Sequence, residues 1–590
     1  MAWEVLERGA ERIRAGAKNS VLLTALAGKP VPQREIGNVR VAFHRAVLQL
    51  AEGSWLLRLC SGLCKKLLRV ELQCYGLFFL LFGGIPILVP LVAGKTFAPD
   101  FLSIGILYFG FPLCFLHDSL AMGVEYSRLL RLFLFHYCGF SDCSALYQSP
   151  ARPFWQALFA GICAGTLACL LGVDRLLPLL LALILIPIAF AVPETILPLV
   201  MLLFPLLGLF GHPSLLLGAL AGFSLICRLP KLLSGHRQDR FGKIDGIALS
   251  VAILLLFDGL FSAAGIDRGG LLLFLYFVSA WFAFRPALLV PRWRNRIFFC
   301  FLLSGSACSF LGILQYFSGK AEQKWLEIGR FDLLGGRVSA TFSNPNFLAV
   351  YLLAVFGISL GWAFRAGKGR WFGVVSLALS SGCLILTWTR GAWLGALAAT
   401  AFFLLLYSAP SLTVLLISPL SAFGIYPFLP AGIRARFGSI GNLAETSSRY
   451  RIETWKGVLR LLSAHPFGIG SGEAAFHLVY PVYAVSGTES VMHAHNVYLQ
   501  VAVEHGIVGL FLFVLLLALL FRGFFAAWRH GACQNARPLF LGVAAALVGL
   551  LTMGFFDHLW YRPSLFYLFA MLAAGLSAFS LCVEEREYET

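Results

Sequence analysis

Apolar runs of roughly 17–25 residues recur along the chain from about residue 76 to residue 582, the length a helix needs to cross a hydrocarbon core. Inside lipid a spanning segment must satisfy its own backbone hydrogen bonds, so these runs predict helices. They fall near 76–94, 101–117, 154–173, 176–192, 194–211, 213–228, 244–265, 270–290, 297–316, 346–364, 371–389, 391–408, 411–429, 507–523, 538–556 and 563–582. The expected fold is all-α: a polytopic transmembrane bundle of about 14–16 spans. Composition agrees, with 59% hydrophobic and 13% charged residues, where soluble domains carry about 45–50% and about 25%.

The formal net charge is +17, which in a soluble protein would raise the question of nucleic acid. Here the basic residues gather in clusters at 228–243, 285–296, 365–370 and 522–537. Counting the spans puts every cluster on one side, and the positive-inside rule makes that side the cytosol. No basic patch is interleaved with aromatics, so no nucleic-acid partner is expected. Both termini then lie inside. The opposite side receives 317–345, the turn at Thr389–Arg390, the long loop 430–506 and the connection from Asp557 to Arg562.

The expected organisation follows. Residues 1–70, with 12 Lys/Arg against 5 Glu, read as a cytosolic basic amphipathic leader rather than a signal peptide. Residues 71–296 are N-terminal spans, 297–523 a core that includes the outer loop, and 524–590 the last spans with a short cytosolic tail. The loop should hold helices of its own, since Ile452, Trp455, Leu459 and Leu462 recur at helical spacing until His465-Pro466. The 14 cysteines lie in apolar runs or on the inner side, so no disulfide framework is expected. Cys60 and Cys64 have no second pair to complete a zinc site.

Three outer features carry polar chemistry. One is Arg337-Val-Ser-Ala-Thr-Phe-Ser-Asn-Pro-Asn346, with Asn344 and Asn346 beside a proline turn; another is Thr389-Arg390-Gly391; the third is His493-Ala-His495-Asn496-Val-Tyr498, running into Glu504-His505-Gly506-x-x-Gly509. Arginines at helix ends often only snorkel to the interface. These two stand on the side where arginine is disfavoured, which calls for an anionic partner. Guanidinium matches phosphate oxygens in a two-pronged geometry. Histidine caps helices, but it is also the side chain whose ordinary pKa lies nearest working pH. A metal at His493-x-His495 is not expected: on a helix the two rings would face nearly opposite ways, and no acidic pair lies nearby in sequence. Gly506 and Gly509 can be close-packing residues at a helix contact.

Taken together, Arg337…Thr341-Phe342…Asn344-Pro345-Asn346, Thr389-Arg390-Gly391, Arg451…Trp455…Pro466…Gly468-x-Gly470 and His495-Asn496 followed by nine residues and Gly506-x-x-Gly509 resemble the O-antigen ligase and polymerase superfamily. The resemblance covers roughly 330–510. It implies a bacterial inner-membrane glycosyltransferase that moves glycan from an undecaprenyl-diphosphate donor to an acceptor hydroxyl on a glycan, lipid or protein, on the extracytoplasmic face. In such enzymes two arginines hold the donor diphosphate and a loop histidine activates the acceptor. Carried over, Arg337 and Arg390 are the phosphate clamps and His495 the base. Arg451 is a further donor-binding residue, and Asn344, Asn346, His493, Asn496 and Tyr498 support the substrates. Inversion at the sugar is expected, with no metal and no other cofactor, and the polyprenyl tail along the membrane helices.

Two other classes fit part of the pattern. A transporter or lipid-linked oligosaccharide flippase would explain the many spans and the proline-broken cluster 176–228. Paired charges within spans would favour it, with Asp258 and Glu194 the clearest candidates. A glycosyltransferase built on an acidic catalytic residue has only Asp100 to offer among the early outer connections. The transporter reading does not explain a long outer loop ending in His-Asn.

Overall fold

A computed structural model describes residues 66–94, 101–126, 150–173, 176, 193–209, 213–233, 243–322, 336–367, 369–428, 430–438, 446–531, 533–560 and 562–587. The leader up to residue 65, most of the run 176–192, Asp100, Lys368, Arg237, Arg240 and Cys60, Cys64, Cys138 and Cys143 lie outside these residues. Cys74, Cys114, Cys163, Cys169, Cys227, Cys300, Cys308, Cys383 and Cys533 are free.

The chain divides into two units, residues 1–192 with 227–240, and residues 193–226 with 241–590. The first unit contains helices α1 (Leu72–Val92), α2 (Phe101–Leu113), α3 (Leu120–Tyr126) and α4 (Phe154–Leu171), and α1, α2 and α4 share a small core of Phe82, Ile106 and Ala168. Glycines set the helix spacing: a Cβ at Gly165 would stand 2.6 Å from Leu81 O. Buried Glu71 at the start of α1 is paired with Arg152.

The second unit contains α5 (Ile196–Leu203), α6 (Pro213–Leu233, whose tail from Cys227 belongs to the first unit), α7 (Lys243–Leu260), α8 (Arg268–Leu289, with a π turn at Ala280–Phe284), α9 (Pro291–Phe317), α10 (Pro345–Ala363), α11 (Arg370–Leu386), α12 (Arg390–Tyr407) and α13 (Ala409–Ile425). Loop helices α14 (Ala431–Gly438), α15 (Thr446–Ala464) and α16 (Glu473–Val479) follow, then α17 (Val497–Arg529), α18 (Arg537–Met553) and α19 (Pro563–Glu587). No strand occurs among the described residues, only isolated bridges.

Among the described residues nine helices are long and apolar enough to cross a membrane. The protein is an all-α, multi-pass membrane protein, with fewer long helices than the apolar runs suggest. Prolines account for part of the difference. Pro193 starts and Pro205 interrupts the run at 194–211, leaving α5 and a short 3-10 turn, because proline removes a backbone donor and clashes with the preceding turn. The run at 101–117 yields only the 13-residue α2. α7 carries Lys243, Asp245 and Asp258. Its Asp245 is buried against Arg285 and accepts from Trp281 Nε1 at 2.7 Å, so the charge is partnered beside the π turn.

α10, α12 and α18 pack backbone to backbone: a Cβ at Gly357 would lie 2.6 Å from Ala546 Cα, and one at Gly395 would lie 2.6 Å from Gly549 O. Small residues at such contacts let helices approach closely where lipid gives no hydrophobic drive between them. On the outside, Ile253, Phe310, Val375, Leu397, Leu416 and Phe511 are more than half exposed, the surface that lipid covers. Since successive helices reverse direction, the entry to α10, the α11–α12 turn, the start of α17 and the α18–α19 connection gather at one end. The basic junctions at 285–296, 365–370 and 522–537 fall at the other.

Candidate active site

Each part of the site is held by a local backbone device. Segment 336–346 is fixed by reciprocal bonds between Arg337 and Glu322 backbones at 2.9 Å, and by Gln315 Oε1, which accepts from Ser339 N and Ala340 N. Asn344 caps α10 by accepting from Asn346 N at 2.8 Å, with Pro345 in the first turn where a missing N–H costs nothing. Asn496 caps α17 through Leu499 N at 3.0 Å. Asn496 Nδ2 also donates to Phe555 O, and Tyr498 OH to Leu551 O. Asn344, Asn496 and Tyr498 thus spend these groups on the scaffold.

Among the described residues, four that are not glycine take positive φ: Ala340, Trp388, His495 and Cys533. The first three stand within three residues of Arg337, Arg390 and His495 themselves. Such conformations cost about 1–3 kcal/mol each and persist only where the surroundings over-determine them.

A continuous polar chain then crosses the site. Arg337 donates from Nε to Thr387 O (2.8 Å) and from Nη2 to Thr389 Oγ1 (3.0 Å) and Asn346 Oδ1 (2.7 Å). Asn346 Nδ2 donates to Asp557 Oδ2 at 2.9 Å. Asp557 Oδ1 accepts from His558 N at 2.9 Å and pairs with His495 Nδ1 at 3.3 Å. Arg337 is thus largely a structural pin between two connections, and Asn346 links it to Asp557.

Burial alone would raise the Asp557 carboxyl, but the hydrogen bond and charge of His495, with His493 and Arg451 behind, hold it well below the usual carboxylate range. A carboxylate only accepts, so when the imidazole is neutral its proton sits on Nδ1, facing Asp557, and Nε2 carries the lone pair. That is the tautomer a general base requires. Burial and the neighbouring His495 push His493 down to about 3, so it is neutral; its Nδ1 accepts the His495 backbone N–H at 3.2 Å. Burial also holds His558 well below its ordinary value.

The rings of His493 and His495 are 4.2 Å apart, unlike the opposed rings expected of a helix, because 493–496 is an irregular turn. His493, His495 and Asp557 bring ligand atoms within 4.8 Å of one another, a grouping that could hold a cation. His495 Nδ1 is already paired with Asp557, His493 Nδ1 accepts the His495 backbone N–H, and the charge of Arg451 acts on both His493 and Asp557. The Arg337 guanidinium is lowered to about 9, first by burial and then by Arg436, with Arg451 and Arg390 adding to it against Asp557 alone. Three arginines act on the Arg337 guanidinium with one carboxylate opposing them, an excess of positive charge that suits an anion.

Arg390 opens α12 and Arg451 lies in α15, each contributing charge at Arg337. Arg436, on α14, escaped the sequence reading; its guanidinium donates to Trp388 O at 3.3–3.4 Å. Asp557 was placed on the correct end but given no role. Arginine on the side where it is disfavoured was the available signal for Arg436, while nothing in the spacing pointed to Asp557. Inorganic diphosphate is expected to raise the melting temperature, and Arg390→Ala or Arg436→Ala to weaken its binding about 10–100-fold, the loss of one charge-assisted hydrogen bond. Thermal-shift titrations with diphosphate would check both.

Residues 375–514 match the family described as O-antigen ligase. The match contains Arg390, Arg436, Arg451, His493 and His495; Arg337 and Asp557 lie outside it. No curated protein matches the chain.

Proposed function

From the premise that residues 375–514 form an O-antigen ligase domain within a multi-pass membrane protein, we propose that this chain transfers glycan from an undecaprenyl-diphosphate donor to an acceptor hydroxyl. The observation that carries this reading is the chain Arg337–Asn346–Asp557–His495, with Arg436, Arg451 and Arg390 close enough for their charge to act on Arg337. A diphosphate diester carries about two negative charges, and such a cluster suits it.

His495 Nε2 takes the acceptor's proton as the oxygen attacks the anomeric carbon. The bond from that carbon to the diphosphate oxygen breaks on the opposite face, so the sugar inverts. Undecaprenyl diphosphate leaves with the bonding pair, and the guanidinium groups neutralise the charge that develops on it. His495 then holds the proton until it is passed to water or to the departing diphosphate. The acceptor is a glycan, lipid or protein hydroxyl, and ligase and polymerase share this chemistry. Asp557 polarises His495, so the working unit extends past residue 523 to the α18–α19 connection. The basic junctions at the far end of the bundle support an extracytoplasmic site and cytosolic termini, in a bacterial inner membrane.

Reconstitution in proteoliposomes tests this. With a polyprenyl-diphosphate glycan and an acceptor, a covalent product is expected, unchanged by chelators. Movement of donor across the bilayer without bond formation would make the protein a carrier instead.

A further inference from the structure

A second polar chain lies behind the His493–His495 turn, and the site chemistry does not use it. Ala494 N donates to Gln500 Oε1 at 2.7 Å, and Gln500 Nε2 donates to Glu504 Oε1 at 2.9 Å. Glu504 Oε2 stands 3.7 Å from His505 Nε2, and His505 Nδ1 is 2.6 Å from Asp258 Oδ2 on α7. All four residues are buried, so water cannot replace these partners. The backbone braces the same place: Gly470 N donates to Glu504 O at 3.0 Å and Ser471 N to Asp258 O at 3.3 Å.

We infer that Gln500, oriented by Glu504 and the His505–Asp258 pair, is a positioning residue that sets the direction of the His495 imidazole. An amide can be turned either way round, and its neighbours decide which. Glu504 is an acceptor, so it draws the NH2 of Gln500 toward itself. The carbonyl oxygen is then presented to Ala494 N. On the other side of that residue, Trp455 Nε1 donates to Ala494 O at 2.9 Å. Both peptide planes of Ala494 are therefore held, and the next residue, His495, keeps φ at +47°. With its backbone fixed there, the ring meets Asp557. The same geometry explains why a polar, charged cluster is kept buried beside a membrane helix, where an isosteric apolar side chain would be simpler to accommodate.

This assignment rests on His495 being the base, and the experiment separates the two. Gln500→Leu keeps the shape and removes both bonds. It is expected to lower kcat about 10–100-fold with the donor KM within about threefold of the parent, because the arginines are untouched. Glu504→Gln alone should also lower kcat. The double substitution Gln500→Glu, Glu504→Gln exchanges the two groups. The carboxylate then accepts from Ala494 N and from the amide NH2, whose carbonyl oxygen faces His505, so kcat should recover to within about threefold. A loss of folded protein that the exchange does not restore, or a parental kcat in Gln500→Leu, would overturn the assignment. Hydrogen exchange of the peptide covering 491–499 gives a readout independent of activity: Gln500→Leu should speed it and the exchange variant should slow it again. Unchanged exchange overturns the positioning role. Faster exchange together with a parent protein that forms no product leaves the positioning role standing and removes the enzymatic reading.

Discussion

His495→Ala should abolish glycan transfer while leaving the protein folded in the membrane and its affinity for diphosphate near that of the parent. The ring is only partly buried, at 26% side-chain exposure, and its bonding is to Asp557 and a turn rather than to the helical core. Its removal therefore costs little stability. A positioned base contributes about 10²–10⁴-fold, and the whole of that is lost when no other group can accept the proton. His493 does not substitute: its Nδ1 already accepts the His495 N–H, and burial has depressed its basicity to about 3. Asp557→Asn should fall along the same path, since an amide in that place can donate to Nδ1 and favour the wrong tautomer. Initial rates at saturating donor, with diphosphate affinity measured in parallel, distinguish loss of the base from loss of binding. Full activity in His495→Ala would remove the proposed chemistry.

The residues of that test were unequally legible in the sequence. Hydropathy located the membrane helices because the 1.5 Å rise per residue ties span length to bilayer thickness. The spacing of Ile452, Trp455, Leu459 and Leu462 located a loop helix, and α15 ends at Ala464, immediately before His465-Pro466. Arg337, Arg390 and His495 were singled out because charge on the disfavoured side and a histidine at a loop's end are local signals. Asp557 was not, since it lies 62 positions further along a chain that returns to the same end. Asn344 and Asn496 have the chemistry of ligand groups, yet a polar residue before a helix serves equally as its cap, and sequence cannot tell one use from the other. The helix rule also misjudged His493, since it assumes dihedrals that His495, at φ +47°, does not adopt. The span read as 507–523 belongs to α17, which runs from Val497 to Arg529 across a break at Gly506.

That break carries the second large effect: Gly506→Ala should unseat the outer loop and remove transfer with it. Gly506 has φ +70° and ψ −175°, a region essentially reserved for glycine that costs an L side chain about 1–3 kcal/mol by itself. A Cβ there would also stand 2.4 Å from Phe467 C and 2.6 Å from Phe467 Cα, backbone atoms that cannot swing aside as a flexible side chain would. The contact exists because segment 466–470 lies in the break: Ile507 N donates to Pro466 O, Ile469 N to Val503 O and Gly470 N to Glu504 O, all within 2.9–3.0 Å. Gly468 makes the reverse approach, with a Cβ placed 2.5 Å from Glu504 O. Gly468 and Gly506, one from each glycine pair of the family resemblance, therefore interlock, and Ile469 and Val503 beside them belong to the buried cluster with Val458, Leu461, Phe476, Tyr480 and Ala494. Gly487 supplies the control. Its φ is +88°, but nothing lies within 4 Å of the added Cβ, so Gly487→Ala should cost only the conformational strain. Gly506→Ala should exceed it and reach beyond about 3 kcal/mol, the range of a core overpacked by backbone contact. Limited proteolysis of the outer loop against temperature reads the difference. Equal effects of the two substitutions would mean that the seam does not bear on loop stability, and that the glycines serve backbone conformation alone.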